Sequence, residues 1–335
     1  PDGTRIAYNR NEKGHGRLCV ADVVTGRVTS LGRGVHGQIE WSGDSITALR
    51  SGARTPTQIV RYDGDTGERT VLAVGPAAAW DALALPEPEL LSVEHDGAVL
   101  HARRYVADRG RMLCWVHGGP TDQWLVEFRP RISYWWSRGW DVLVVDPRGT
   151  TGHGRAYQRA LNGAWGRLDV DDTAALIAHA HGQGWAAPQT TAVMGSSSGG
   201  LTVLGVLADH SHLVGAGVAS YPVSDLGALA EVTHRFEAHY TDTLVGPPDD
   251  VDLFERMSPL HRAALIRGPL LVFHGAEDPV VPVEQSRSLA AAIESGGGSV
   301  ELVEYEGEGH GFRDPANVRD EYARTEAFLS SAITS

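Results

Sequence analysis

Near the middle of this 335-residue chain stands Val193-Met-Gly-Ser-Ser-Ser-Gly-Gly200, a Gly-x-Ser-x-Gly element centred on Ser197. Glycines two residues either side of a serine fit a sharp turn from strand to helix, because a β-carbon at either place would strike neighbouring backbone. Such a turn exposes the hydroxyl. The helix that follows aims N–H groups and positive dipole at any oxyanion forming there. A hydroxyl is a weak nucleophile near neutral pH and needs a base, and the base needs an orienting group. Asp278 stands in His274-Gly-Ala-Glu-Asp-Pro-Val-Val-Pro282, past one apolar run, and His310 in Gly307-Glu-Gly-His-Gly-Phe312, past the next. The chain order Ser, Asp, His is that of the α/β-hydrolase arrangement rather than of other serine-protease folds. Asp278 is expected to accept from one imidazole nitrogen of His310, leaving the other to take the Ser197 proton.

The oxyanion donors are assigned to the backbone N–H groups of Ser198 and Gly119, the latter in the strand-and-glycine segment Cys114-Trp-Val-His-Gly-Gly-Pro120. Tyr221 and Val281 are candidates for the wall of a substrate pocket, each against the alternative of ordinary core. Glu277 competes with Asp278 by residue type, and Glu306 and Glu308 read as a solvated acidic loop. His117 reads as loop support. Asp146-Pro-Arg-Gly149 and Gly152-His-Gly154 read as a rigid loop beside the site, with Arg148 structural. His117, His153, His179 and His181 lack the spacing or carboxylate company of a metal site, and no metal or organic cofactor is implied.

These residues require a scaffold that brings strand ends together. Apolar runs at Arg111–Val116, Trp140–Val145, Thr191–Gly195, Leu213–Ala219, Pro269–His274 and Val300–Tyr305 alternate with helical periodicity at Asp171–His181, Ser198–Asp209, Val283–Glu294 and Ala316–Ile333. An antiparallel hairpin, Leu90–Glu94 and Val99–Tyr105 around Asp96-Gly97, precedes them. The pattern predicts an α/β-hydrolase domain over 76–335, a mostly parallel sheet with helices on both faces. Chemistry in such a sheet gathers at the carboxyl ends of its strands.

Residues 1–75 read as short β-prone runs separated by turns. Asp22-Val-Val-Thr-Gly-Arg-Val-Thr-Ser-Leu31 recurs 41 residues on as Asp63-Gly-Asp-Thr-Gly-Glu-Arg-Thr-Val-Leu72. Trp41-Ser-Gly-Asp-Ser45 falls similarly after Pro1-Asp-Gly-Thr4. That period is the mark of four-stranded propeller blades, of which about two are present, against ~4 or more in a closed propeller. A truncated propeller is favoured over a β-sandwich fragment.

Composition narrows the function. A net charge of −13 argues against a nucleic-acid or anionic-membrane surface. No apolar run approaches a bilayer-spanning length and no signal-like N-terminus is visible. Two cysteines exclude a disulfide framework, so the compartment is expected to be the reducing cytoplasm, and Cys19 and Cys114, both in apolar strand-like runs, are expected to be buried. Homo-oligomerisation stays open.

On His117-Gly-Gly-Pro120, Asp146-Pro-Arg-Gly-Thr-Thr-Gly-His-Gly154, Trp165-Gly166, Gly195–Gly200, Ser258-Pro259 and the Asp278 and His310 segments, the sequence resembles the prolyl oligopeptidase family of serine peptidases, most nearly its acylaminoacyl-peptidase branch. The resemblance implies Ser197, Asp278 and His310 as a triad, a propeller over the cleft, and short peptides or N-acyl-aminoacyl amides as substrates. Two features depart from it. Ser198 stands where the family commonly has tyrosine, and most of the propeller is missing. No paired glutamates of the dipeptidyl-peptidase kind can be located in the blades. An esterase or small-molecule amidase on the same fold is the alternative, and a non-catalytic scaffold the reading from another class.

Overall fold

A computed structural model describes residues 3–77, 80, 83–232 and 239–333. Pro1 and Asp2 of the first repeat, and Ala78 and Ala79 just past the expected domain boundary at residue 75, lie outside the described residues. The chain separates into two compact units, Pro1–Glu89 with Trp124–Arg138, and Leu90–Gln123 with Gly139–Ser335.

The first unit holds two antiparallel sheets with strands in chain order. One comprises β1 (Arg5–Glu12), β2 (His15–Asp22) and β3 (Val28–Arg33); the other comprises β4 (Val35–Ser42), β5 (Ser45–Gly52), β6 (Thr55–Asp63) and β7 (Arg69–Val74). The sequence repeat is a structural repeat. Asp22 Oδ1 accepts from the amides of Val24 (3.0 Å) and Thr25 (2.7 Å), and Asp63 Oδ1 from those of Asp65 (3.1 Å) and Thr66 (2.7 Å). Gly26 (φ 69°) and Gly67 (φ 74°) close the two turns in the left-handed region that glycine tolerates best. Leu18, Val20, Ile46, Ala48, Val60 and Tyr62 alternate inward and form the apolar core of this unit. The sequence reading misses β4. Its alternation is interrupted by Gly37, by Gln38 at φ 48°, and by a register shift between Gly37 and Glu40. The unit also carries α1 (Pro130–Ser137).

The second unit is built on an eight-stranded sheet. Its strands are β8 (Glu89–His95), β9 (Ala98–Tyr105), β10 (Met112–Val116), β11 (Asp141–Asp146), β12 (Thr191–Ser196), β13 (Ala216–Ser220), β14 (Pro269–Gly275) and β15 (Ser299–Tyr305). They lie in the order β15-β14-β13-β12-β10-β11-β9-β8. The six from β15 to β11 run parallel, and β9 is antiparallel to β11. Asp96 (φ 48°) and Gly97 (φ 72°) make the tight turn between β8 and β9. Every residue of β10, β11 and β13 is buried, as strands covered on both faces must be. The expected architecture is present: antiparallel blade-like sheets followed by a mostly parallel sheet clad in helices.

The helices are α2 (Arg155–Arg159), α3 (Leu168–Gly182), α4 (Ser198–Asp209), α5 (Leu226–Val232), α6 (Tyr240–Leu244), α7 (Val251–Met257), α8 (Glu284–Ser295) and α9 (Pro315–Ala332). Periodicity in the sequence finds α3, α4, α8 and α9. It misses α1, α2 and α5 to α7, which are all too short to repeat an apolar stripe. None of the described helices is long and apolar enough to cross a membrane. Cys19 and Cys114 are both free and buried.

Candidate active site

Ser197 sits between the end of β12 and the start of α4 with φ 56° and ψ −123°, a strained conformation for a residue with a side chain. The flanking glycines are required by space. A β-carbon on Gly195 would collide with the carbonyl of Gly199, and one on Gly199 would lie 2.6 Å from the carbonyl oxygens of Val116 and His117. The first turn of α4 is therefore pressed against the end of β10. The turn is tied down by the Ser197 amide, which donates to Ser220 O at 3.0 Å, and by the amides of Gly200 and Leu201, which donate to Ser197 O. Behind it, Thr202 Oγ1 donates to buried Asp169 Oδ2 (2.6 Å) and the Gly166 amide to Asp169 Oδ1 (2.7 Å), linking α4 to α3. Burial pushes the Asp169 carboxyl up to about 6, although hydrogen bonds from Thr202 and Gly166 pull it back.

His310 and Asp278 arrive on two loops that clamp each other. Gly275 ends β14 where a β-carbon would overlap the carbonyls of Glu308 and Gly309. The amide of Glu277 donates to Glu308 O (2.9 Å) and that of Ala276 to Tyr305 O (2.9 Å). The outcome is a continuous relay. His310 Nε2 lies 3.0 Å from Ser197 Oγ, and His310 Nδ1 lies 2.8 Å from Asp278 Oδ2. Asp278 Oδ1 accepts from the amides of Val280 (2.8 Å) and Val281 (3.0 Å). Burial alone would raise this carboxyl, but hydrogen bonds from His274, His310, Val281 and Val280 outweigh it and hold the group well below the usual carboxylate range.

Three contributors are not legible in the sequence. His274 is fully buried at the end of β14. Its Nε2–H lies 2.8 Å from Val281 O and 3.5 Å from Asp278 Oδ2 and is shared between them, while its Nδ1 accepts from Ser286 Oγ at 2.7 Å, which steadies the Asp278 turn. Glu308 corrects the reading of a solvated acidic loop: it is 4% exposed, whereas Glu306 is exposed as expected. Glu308 accepts from the amides of Arg313 and Asp314 and from Asn317 Nδ2, each at 2.9 Å, and so fastens the His310 loop to the start of α9. Burial pushes its carboxyl up, but these donors prevail and hold it below the usual range. Phe312 packs edge-on to Tyr221 at 5.6 Å and to Tyr305 at 4.9 Å.

The remaining sequence candidates divide. The Tyr221 ring lies 4.6 Å from the His310 ring, so Tyr221 does flank the site. Val281 does not offer a wall. Its side chain is 1% exposed and packs with Leu161, Trp165, Leu201 and Val223; only its backbone serves Asp278. Gly118 and Gly119 follow β10, and a β-carbon on Gly118 would stand 3.6 Å from Ser197 Cβ, which brings the glycine pair alongside the nucleophile. Ser198 opens α4, where first-turn N–H groups have no partner within the helix. His117 is buried, with Nε2 2.8 Å from Thr150 Oγ1. Arg148 holds Asp172 through both its guanidinium and its amide, the closest contact being 2.6 Å. Glu277 is exposed.

The model of the prolyl oligopeptidase family matches residues 126–335. Dipeptidyl aminopeptidase BIII of Pseudoxanthomonas mexicana is 33% identical over 225 residues, 65% of this chain and 32% of the relative. Among solved structures, a Mycobacterium tuberculosis puromycin-hydrolyzing peptidase superposes with TM-score 0.91 at 30% identity, covering 98% of this chain and 52% of that one. Acylaminoacyl peptidase of Pyrococcus horikoshii superposes with TM-score 0.85 at 20% identity, covering 98% and 54%, which is a likeness of fold. The chain thus spans about a third of the length of that curated relative and about half of those solved chains.

Proposed function

We propose a function from one premise: the chain belongs to the prolyl oligopeptidase family. It acts as a serine peptidase that hydrolyses short peptides or N-acyl-aminoacyl amides through an acyl-enzyme on Ser197. The observation that carries this reading is the relay of Ser197 Oγ, His310 Nε2 and Nδ1, and Asp278 Oδ2, with gaps of 3.0 and 2.8 Å. His310 Nε2 takes the hydroxyl proton as Ser197 Oγ attacks the scissile carbonyl. The carbonyl π electrons move to oxygen, and the amides of Ser198 and Gly119 receive the oxyanion. On collapse, His310 returns the proton to the departing amine. Water then repeats the sequence on the ester and frees the acid. Asp278, kept ionised by its four donors, holds the imidazole in one tautomer and stabilises the imidazolium. Tyr221, against the His310 ring, limits the positions the imidazole can take.

The likeness to a puromycin-hydrolyzing peptidase supports a second reading, in which the same triad also cleaves a small-molecule amide. Buried free thiols fit a cytoplasmic setting. Turnover of N-acetyl-aminoacyl p-nitroanilides, free aminoacyl p-nitroanilides and p-nitrophenyl esters separates the readings. Anilide hydrolysis by wild type that is lost in Ser197→Ala supports the peptidase; hydrolysis confined to esters overturns it.

A further inference from the structure

Beside the Gly118-Gly119 segment, within the second unit, lies a cavity of about 420 Å³ lined by Thr121, Arg155, Gln158, Arg159, Asn162 and Tyr240, among others. Its size is that of a site for a small ligand group, and its walls combine apolar surface with polar side-chain groups. Hydrogen bonds join several of its walls. Tyr240 Oη and Thr121 Oγ1 are 2.7 Å apart, and the Gly163 and Trp165 amides donate to Thr243 O and Leu244 O, each at 3.1 Å. The Thr151 amide donates to Asp122 O at 3.0 Å, joining the loop after β11 to the one that carries Gly119. The cavity therefore begins two residues beyond the amide assigned to the oxyanion.

Arg155 and Arg159 stand four residues apart on α2, so their side chains leave the same face of the helix. Both are exposed, and neither has an ion pair among the described residues. Acidic residues outnumber basic ones 42 to 29 in this chain, and other arginines such as Arg33, Arg148 and Arg262 have found a carboxylate. Two like charges at this spacing destabilise a helix slightly, and an anion between them relieves the repulsion. Guanidinium forks side by side suit a carboxylate, which each can grip through two parallel N–H donors.

We propose that this cavity is a subsite for a carboxylate of the substrate, and that Arg155 and Arg159 make the enzyme prefer acidic substrates. The inference rests on the peptidase reading above and deepens it. The carboxylate could belong to the acyl side of the scissile bond or to the free C-terminus of the leaving peptide, and the assay has an arm for each. N-succinyl- is compared with N-acetyl-phenylalanine p-nitroanilide, and N-acetyl-Phe-Gly-Gly with its C-terminal amide, by kcat/KM. In one arm the acidic member is favoured in wild type, and Arg155→Gln/Arg159→Gln lowers the acidic-to-neutral ratio about tenfold, as expected for two solvent-screened contacts. Arg155→Lys/Arg159→Lys retains most of the ratio, and salt at 1 M erodes it in wild type because the screening length shrinks to about 3 Å. No acidic preference in either arm, or a preference that survives the glutamine pair, overturns the subsite. Titration of N-succinyl-phenylalanine p-nitroanilide into Ser197→Ala, with and without the glutamine pair, tests the same contacts without turnover. Binding that depends on the arginines in a protein that hydrolyses nothing would retain the subsite and remove the peptidase reading.

Discussion

Glu308→Gln tests how the base is held. In the folded chain one carboxylate oxygen of Glu308 accepts from Asp314 N and Asn317 Nδ2, and the other from Arg313 N, all at 2.9 Å. Glutamine keeps one acceptor oxygen and turns an NH2 group toward a donor, so at least one hydrogen bond is lost and two become charge-neutral. A hydrogen bond to a charged group is worth about 1.5–3 kcal/mol and a neutral one about 1 kcal/mol, which puts the loss at roughly 2.5–7 kcal/mol. For a unit of this size that is a fall in Tm of at least about 5 °C. His310 lies two residues away on the same loop, so labelling of Ser197 by a fluorophosphonate should slow about tenfold or more while circular dichroism keeps its native shape. The pH dependence follows from the carboxyl being held low in the folded state. The stabilisation is fully present above the pKa of the unfolded chain and is lost as pH falls through the folded value, so the Tm gap between wild type and variant should narrow in acid. A Tm within 1 °C of wild type at pH 7, with an unchanged labelling rate, would remove Glu308 from the support of His310.

Further outcomes follow from the same geometry. Gly275→Ala should destabilise by about 1–3 kcal/mol and impair labelling, because its β-carbon overlaps the Glu308 and Gly309 carbonyls; a thermal melt and labelling rate equal to wild type would contradict this. Asp278→Asn should lower kcat by roughly 10⁴ with the fold intact, read by steady-state kinetics on any substrate that wild type accepts. Asp169, with its carboxyl raised to about 6, binds a proton more tightly folded than unfolded, so it costs stability as pH rises from about 4 to 6. Asp169→Asn removes that cost, and its Tm relative to wild type should rise across this window; a difference flat in pH would show that Asp169 does not titrate there.

Elements with long apolar runs or sustained 3.6-residue periodicity are legible in the sequence, because burial dictates their composition directly. The strands of the parallel sheet and helices α3, α4, α8 and α9 are of that kind. Ser197, Asp278 and His310 are legible because glycines and strand ends mark the turns that carry them, and the fold brings those three into hydrogen-bonding distance. Glu308 is not legible. Its burial depends on donors at Arg313, Asp314 and Asn317, which only the start of α9 delivers. His274 reads as one more residue of an apolar strand until its two ring nitrogens are seen to hold the Asp278 turn. Val281 follows the triad carboxylate in sequence, yet the turn directs its side chain into the core and leaves its amide to the site. Strand β4 hides for a different reason: a bulge breaks the two-residue alternation that would reveal it.

The sharpest measurement is the site of covalent attachment of a fluorophosphonate probe, mapped by peptide mass spectrometry on wild type and on Ser197→Ala. Modification of Ser197 alone in wild type, and none in the variant, is the expected outcome. Stoichiometric modification at another residue in either protein, or a wild type that stays unlabelled while fully folded, would be incompatible with Ser197 as the nucleophile.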